Sequence, residues 1–175
     1  ELLASRGYYF IIEFLLNSGQ TDDALKISTK ITEFYWKSLS YTRIAEFFAS
    51  SKQTDKACEF FRKAIDNGEN ITDSKIKKCK IFCEIAETLA GIGCIENAYN
   101  LWDRAVSIAH KLDKATVTIM NQITVNSSDK CEAYAVLAES FARAGFNDQA
   151  IEFWDKLKEI FKSPNEIADK DSNFS

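Results

Sequence analysis

Helix breakers are scarce in this chain: 175 residues contain one proline and six glycines. That scarcity argues against an all-β fold rich in turns and permits long helices. An excess of basic residues is also missing. The net charge is −4, without the electrostatic footprint of general nucleic-acid binding. No apolar run approaches the roughly 20 residues of a membrane-spanning helix, and nothing resembles a signal peptide. Histidine occurs once, as His110, so a Ser-His-Asp or Cys-His apparatus has no supporting motif. Gly91-Ile92-Gly93 is not followed by Gly-Lys-Ser/Thr and reads as a helix end, not a phosphate loop. The five cysteines, Cys58, Cys79, Cys83, Cys94 and Cys131, are odd in number and irregular in spacing. They predict reduced thiols and a cytoplasmic location.

What is present is hydrophobic and repetitive. Hydrophobic residues make up 46% of the chain and aromatics 13%, enough for a packed core. Four segments align without gaps: Ser5–Phe34, Ser38–Asn67, Cys79–Ile108 and Cys131–Ile160. Their anchor is an alanine, at Ala24, Ala57, Ala98 and Ala150, with intervals of 33, 41 and 52 residues. The first interval suits a unit of two helices; the others place extra residues between units.

Each aligned column has a physical reading. Gly19, Lys52, Gly93 and Gly145 stand five residues before the anchor, and three glycines in four predict a left-handed cap ending a first helix. Asp22, Asp55, Glu96 and Asp148 follow, suited to the positive end of a second helix. Three bulky columns recur on the first helix: Tyr8/Tyr41/Phe82/Tyr134, Ile11/Ile44/Ile85/Leu137 and Leu15/Phe48/Leu89/Phe141. Between them runs Ile12/Ala45/Ala86/Ala138. The second helix carries the anchor alanine, then Ile27/Phe60/Leu101/Phe153 and Ser28/Phe61/Trp102/Trp154. Small residues let backbones approach, and bulky columns fill the gaps beside them. Cys79 and Cys131 share a small-residue column with Ser5 and Ser38, and Cys58 aligns with Leu25, Tyr99 and Ile151. These cysteines read as packing residues. No metal site or cofactor is expected, although Cys79 and Cys83 are four apart.

This pattern resembles the tetratricopeptide repeat (TPR) family. The match lies in the small residue of the first helix (Ala45, Ala86, Ala138), the turn glycine, and the alanine early in the second helix. It continues in the aromatic four residues later and in Ala64 and Ala105. The resemblance covers about 120 of 175 residues. The first unit departs most, with Ile12 and Ile31 in place of small residues and Ser28 in place of the aromatic, as a boundary unit does. The implied fold is all-α: a TPR-like α-solenoid of four antiparallel helix pairs in a right-handed superhelix, with irregular inter-repeat inserts. One such domain is expected over 1–164, with repeats at about 5–36, 38–70, 79–112 and 130–163, followed by a polar tail at 165–175.

The inserts carry their own expectations. The second helix of unit two should end near Asn67–Gly68 and the next start around Thr72, capped by Thr72 or Asp73. Over Lys111–Lys130 the stripe Leu112, Ala115, Ile119, Ile123 predicts a helix that runs on into a loop at Asn126–Asp129. The β-branched residues of Ala115–Val125 favour extended chain instead. Pro164 should stop the last helix.

The resemblance further implies a concave groove lined by first helices. The recurrent polar residue there is a glutamate, Glu13, Glu46, Glu87 and Glu139, eleven residues before each anchor. Carboxylates roughly 10 Å apart repel by only about 0.4 kcal/mol in water, so a wet acidic ladder facing a basic or polar ligand costs little. The alternative is a solvated face, or glutamates bonded to neighbouring helices. The same groove should include Tyr9, Thr42, Cys83, Lys80 and Arg143. Some relatives grip a C-terminal carboxylate with Lys, Asn and Arg, but here Glu takes the place of Asn. The expected function is a non-catalytic scaffold or adaptor that holds a protein or peptide segment, basic segments included, with no nucleic acid and no membrane as partner. The other expectation is a regulatory or oligomerisation segment of a larger enzyme or signalling protein. The start at Glu1 inside a helical pattern and the weakly capped last pair motivate it, including self-association through the terminal repeats.

Overall fold

The computed structural model describes residues 2–112, 118–119, 122–123 and 129–161. Among them are eight helices: α1 Leu2–Asn17, α2 Thr21–Ser28, α3 Phe34–Ser50, α4 Thr54–Glu69, α5 Lys75–Gly91, α6 Ile95–His110, α7 Asp129–Arg143 and α8 Asn147–Phe161. The fold is all-α apart from one two-residue antiparallel ladder, β1 (Thr118–Ile119) with β2 (Gln122–Ile123), in which Thr118 faces Ile123. The helices pack as pairs, α1 on α2, α3 on α4, α5 on α6 and α7 on α8. First helices also pack side by side, α1 on α3, α3 on α5 and α5 on α7. Among the described residues no neighbouring second helices touch in this way.

The turn within each pair is built identically. Gly19, Gly93 and Gly145 have φ of 75°, 84° and 86°, and Lys52 adopts φ 58° in the same column. In the first pair Gly19 N–H donates to Leu16 O at 3.1 Å and Gln20 N–H to Leu15 O at 2.8 Å. The same two bonds recur around Lys52, Gly93 and Gly145. They satisfy the last carbonyls of the first helix in the Schellman manner. The next carbonyl is used at once: Gln20, Gln53, Cys94 and Phe146 accept from the backbone N–H of Ala24, Ala57, Ala98 and Ala150. Turn and anchor alanine are therefore one hydrogen-bonded unit. The acidic column falls on the second residue of each second helix, within reach of the helix dipole.

Packing explains the small columns. Ile12, Ala45, Ala86 and Ala138 are completely buried. Ser38 Oγ donates to Ala64 O at 2.7 Å, and Cys79 Sγ lies 3.7 Å from Ala105 O. The serine–cysteine column is thus a small donor set against the second helix of its own pair. Gly68 sits where α4 meets α5: a Cβ there would stand 3.1 Å from Phe82 Cε1 and 3.2 Å from Ile81 Cγ2.

Several boundaries differ from expectation. α2 stops at Ser28, because Ser28 and Thr29 hydroxyls bond back to the carbonyls of Leu25 and Lys26, which competes with helix continuation. The chain restarts at Phe34, where the Glu33 side chain accepts from Trp36 N–H at 3.0 Å. α4 reaches Glu69, and the cap of α5 is Ser74, not Thr72 or Asp73. Ser74 Oγ accepts from Lys77 N–H, while the Asp73 carboxylate is engaged by Lys77 Nζ. α6 does not run on past His110; extended pairing takes its place at 118–123, as β-branched residues favour. The loop expected at Asn126–Asp129 lies outside the described residues except Asp129, which opens α7. Pro164 and the tail at 165–175 also lie outside them.

Candidate functional site

The glutamate column follows the buried small column by one residue, so each carboxylate emerges at the rim of the first-helix layer. The rim is not a row of free acids. Arg43, half-buried on α3, occupies its centre. Its Nε lies 3.5 Å from Glu13 Oε1 on α1, its Nη1 3.1 Å from Glu46 Oε2, and its Nη2 2.5 Å from Glu84 Oε1 on α5. Arg43 Nε also donates to Tyr9 OH at 3.4 Å, and that hydroxyl donates to Glu13 Oε1 at 2.5 Å. One guanidinium fork therefore joins three successive first helices, a role that its planar donor set suits.

Farther along, Arg143 on α7 repeats the device. Its Nη1 lies 3.4 Å from Glu87 Oε1 on α5, and its Nη2 3.4 Å from Glu139 Oε2. Lys80 pairs with Glu132 across α5 and α7. All four ladder glutamates thus have an arginine partner. This network holds six carboxylates and three cations, so it remains net negative. It borders a groove of about 700 Å³ between α3, α5 and α7, continued by one of about 280 Å³ between α1 and α3.

The surroundings shift several groups. Burial, reinforced by the Glu13 carboxylate, pushes the Tyr9 hydroxyl up to about 12. Burial alone would lower Arg43, but its bond to Tyr9 and the neighbouring Glu84 carboxylate more than reverse this, so it stays charged. Burial and the nearby Glu84 charge raise Glu87.

Two expected groove residues are corrected. Thr42 and Cys83 are buried, Thr42 bonding to Ser38 O at 3.0 Å. Both side chains are closed off from solvent and cannot meet a ligand. The bonded neighbour Cys79, reinforced by burial, raises the Cys83 thiol well above its ordinary value, which makes it a packing group. Tyr9 is buried through its ring and contributes only its bonded hydroxyl. Cys58, expected to pack, is exposed. It lines a second, more apolar groove of about 520 Å³ between α4 and α6, with Phe61, Ile65, Leu101 and Arg104. Trp154, expected in the seam, is 42% exposed. Ile11 is exposed too. Arg43 escaped the column reading because its column, Phe10/Arg43/Glu84/Val136, does not recur. The signal was there in another form, since Arg43 and Glu84 are opposite charges at one position of adjacent units.

No protein-family model matches this chain. No curated protein matches it either. Its fold is similar to the crystal structure of Ton1535 from Thermococcus onnurineus NA1, with a TM-score of 0.66 and 21% identity over 87% of this chain and 45% of that one. At that identity the likeness concerns fold alone, and this chain spans less than half of that protein's length. Among the described residues no helix is long and apolar enough to cross a membrane.

Proposed function

We propose that this chain is a TPR-like, right-handed α-solenoid that acts as a non-catalytic cytoplasmic scaffold, holding a protein or peptide segment along its first-helix face. Among the described residues neighbouring first helices pack backbone to backbone while second helices do not, which curves such an array toward the first-helix side. The observation that carries the reading is the arginine-bridged glutamate column bordering the groove. Glu46 and Glu139 stay exposed at its rim, and the network keeps an excess of carboxylates. A ligand with Lys or Arg side chains would meet that excess, and rigid helix pairs would leave most of the ordering cost to the ligand.

The test is capture of partners by the 175-residue chain, repeated with Glu46→Gln and Glu87→Gln together. Weakened binding at an unchanged melting temperature supports the reading; unchanged affinity overturns it. The second reading, an assembly segment of a larger protein, is favoured by the exposed apolar side chains at both ends of the stack.

A further inference from the structure

The junction between the second and third pairs is built from smaller side chains than the junction after it. Between α6 and the last pair, aromatic rings fill the wedge. Tyr99 and Trp102 meet Phe141 and Phe146, with ring centroids 5.2 Å apart for Tyr99–Phe146, 4.5 Å for Trp102–Phe141 and 5.4 Å for Trp102–Phe146. The same four repeat positions at the preceding junction hold Cys58, Phe61, Leu89 and Cys94. All four line the apolar groove of about 520 Å³ between α4 and α6. Three rings have thus given way to smaller groups, and the groove opens to solvent at Cys58.

Charge changes at the same place. Arg62 stands where Asp103 and Asp155 stand in the next two units. Arg62 and Arg104 line the groove, and no carboxylate among the described residues does, although the chain has a net charge of −4. Among the described residues Arg62 makes no ion pair; the nearby Glu59 is held by Lys63 at 2.5 Å. Arg104 is fixed by stacking, its guanidinium 4.4 Å from the centre of the Phe82 ring, and it shares Glu69 with Lys78. Both arginines follow their anchor alanines, in the C-terminal halves of α4 and α6, whereas Thr54, Cys94 and Asn97 at the other end are uncharged.

From this we infer that the α4–α6 groove binds a small amphipathic carboxylate. Its apolar body lies against Phe61, Leu89 and Leu101, in the space that rings occupy at the next junction, and its carboxylate meets Arg62 and Arg104. The volume falls within the roughly 300–1,000 Å³ of small-molecule sites, which are likewise mostly apolar with a few convergent polar groups. The α4 wall from Thr54 to Ile65 is about 16 Å long, which suits an elongated body. A guanidinium fork matches a carboxylate, and apolar surroundings strengthen that pairing. The groove is walled by second helices, and the inference does not rest on what the glutamate rim holds.

Calorimetric titration of the 175-residue chain with dodecanoate tests this. The expected result is saturable binding with a Kd below about 1 mM, and binding at least about tenfold weaker for dodecanol and for dodecyltrimethylammonium. Alkylation of Cys58 by iodoacetamide, read by mass spectrometry, locates the site: dodecanoate should slow it. Arg62→Gln changes an exposed side chain and should weaken dodecanoate about tenfold while leaving dodecanol unchanged. Cys58→Tyr with Cys94→Phe installs the side chains of the next junction and should abolish binding. Thermal melts verify that each variant is folded; should the double variant fail to fold, Arg62→Gln and the protection of Cys58 still decide. Absence of saturable binding overturns the inference. So does binding that leaves Cys58 unprotected, binding that Arg62→Gln does not weaken, or equal affinity for the cation. Cys58 already protected without dodecanoate, at the sedimentation mass of a dimer, would show a second copy in the groove and overturns it too.

Discussion

The indole Nε1 of Trp102 donates to Ser140 Oγ at 2.8 Å, and Ser140 Oγ in turn donates to Cys83 O at 3.2 Å. One buried hydroxyl therefore ties α5, α6 and α7 together. Trp154 holds the same column position in the last pair yet stands open to solvent.

That contrast gives a paired stability prediction. Trp102→Ala should cost about 3–5 kcal/mol, because it empties a fully buried site and strips Ser140 of its donor. Trp154→Ala should cost less than about 1 kcal/mol. Urea unfolding of both variants checks this; equal losses would contradict the packing described.

Lys52 is the non-glycine residue of the left-handed turn column, at φ 58°. Lys52→Gly should stabilise the protein by about 0.5–1 kcal/mol, since relief of backbone strain outweighs the added freedom of the unfolded chain. Gly93→Ala at φ 84° should act in the opposite sense. Melting temperatures of the two variants should move apart.

Arg43→Met should destabilise by about 1–3 kcal/mol: three carboxylates and Tyr9 lose a shared partner, and solvent reduces the cost. Arg43→Lys should rescue little, because an ammonium cannot reach three helices at once. Glu46→Gln should be nearly neutral, since Arg43 keeps Glu13 and Glu84. Chemical denaturation of the three variants ranks them.

Tyr9 titrates at about 12 in the folded chain against an ordinary value of 10.0. A raised pKa means the folded state holds its proton longer than the unfolded one, so the stability Tyr9 contributes is complete below 10 and falls as pH rises toward 12. Tyr9→Phe lacks this titration. The stability difference between the two proteins should therefore shrink across that window, measured by denaturant midpoints at matched ionic strength.

The pair grammar was legible from sequence because its causes are local. A left-handed turn selects glycine, and the recurrence of Gly19, Gly93 and Gly145 exposed the position that Lys52 also fills. Burial of a helix flank selects Ala45, Ala86 and Ala138. The C-terminal end of α6 was not legible, since Leu112, Ala115, Ile119 and Ile123 fit a helical stripe, yet β-branched side chains favour the extended pairing found there. Nor was the end of α2, set by two hydroxyls bonding back to their own helix.

By itself, then, the sequence determined the helices, their turns and the small-residue seams, because those depend on spacing along one chain. Tertiary structure decided the charges and the ends. Whether Glu13, Glu46, Glu87 and Glu139 stand free depends on Arg43 and Arg143 reaching them, in part from neighbouring helices. Whether a tryptophan is core or surface depends on what packs over it, as Phe141 and Phe146 do over Trp102. Both are relations between neighbours in space, and a column of aligned residues records no neighbour.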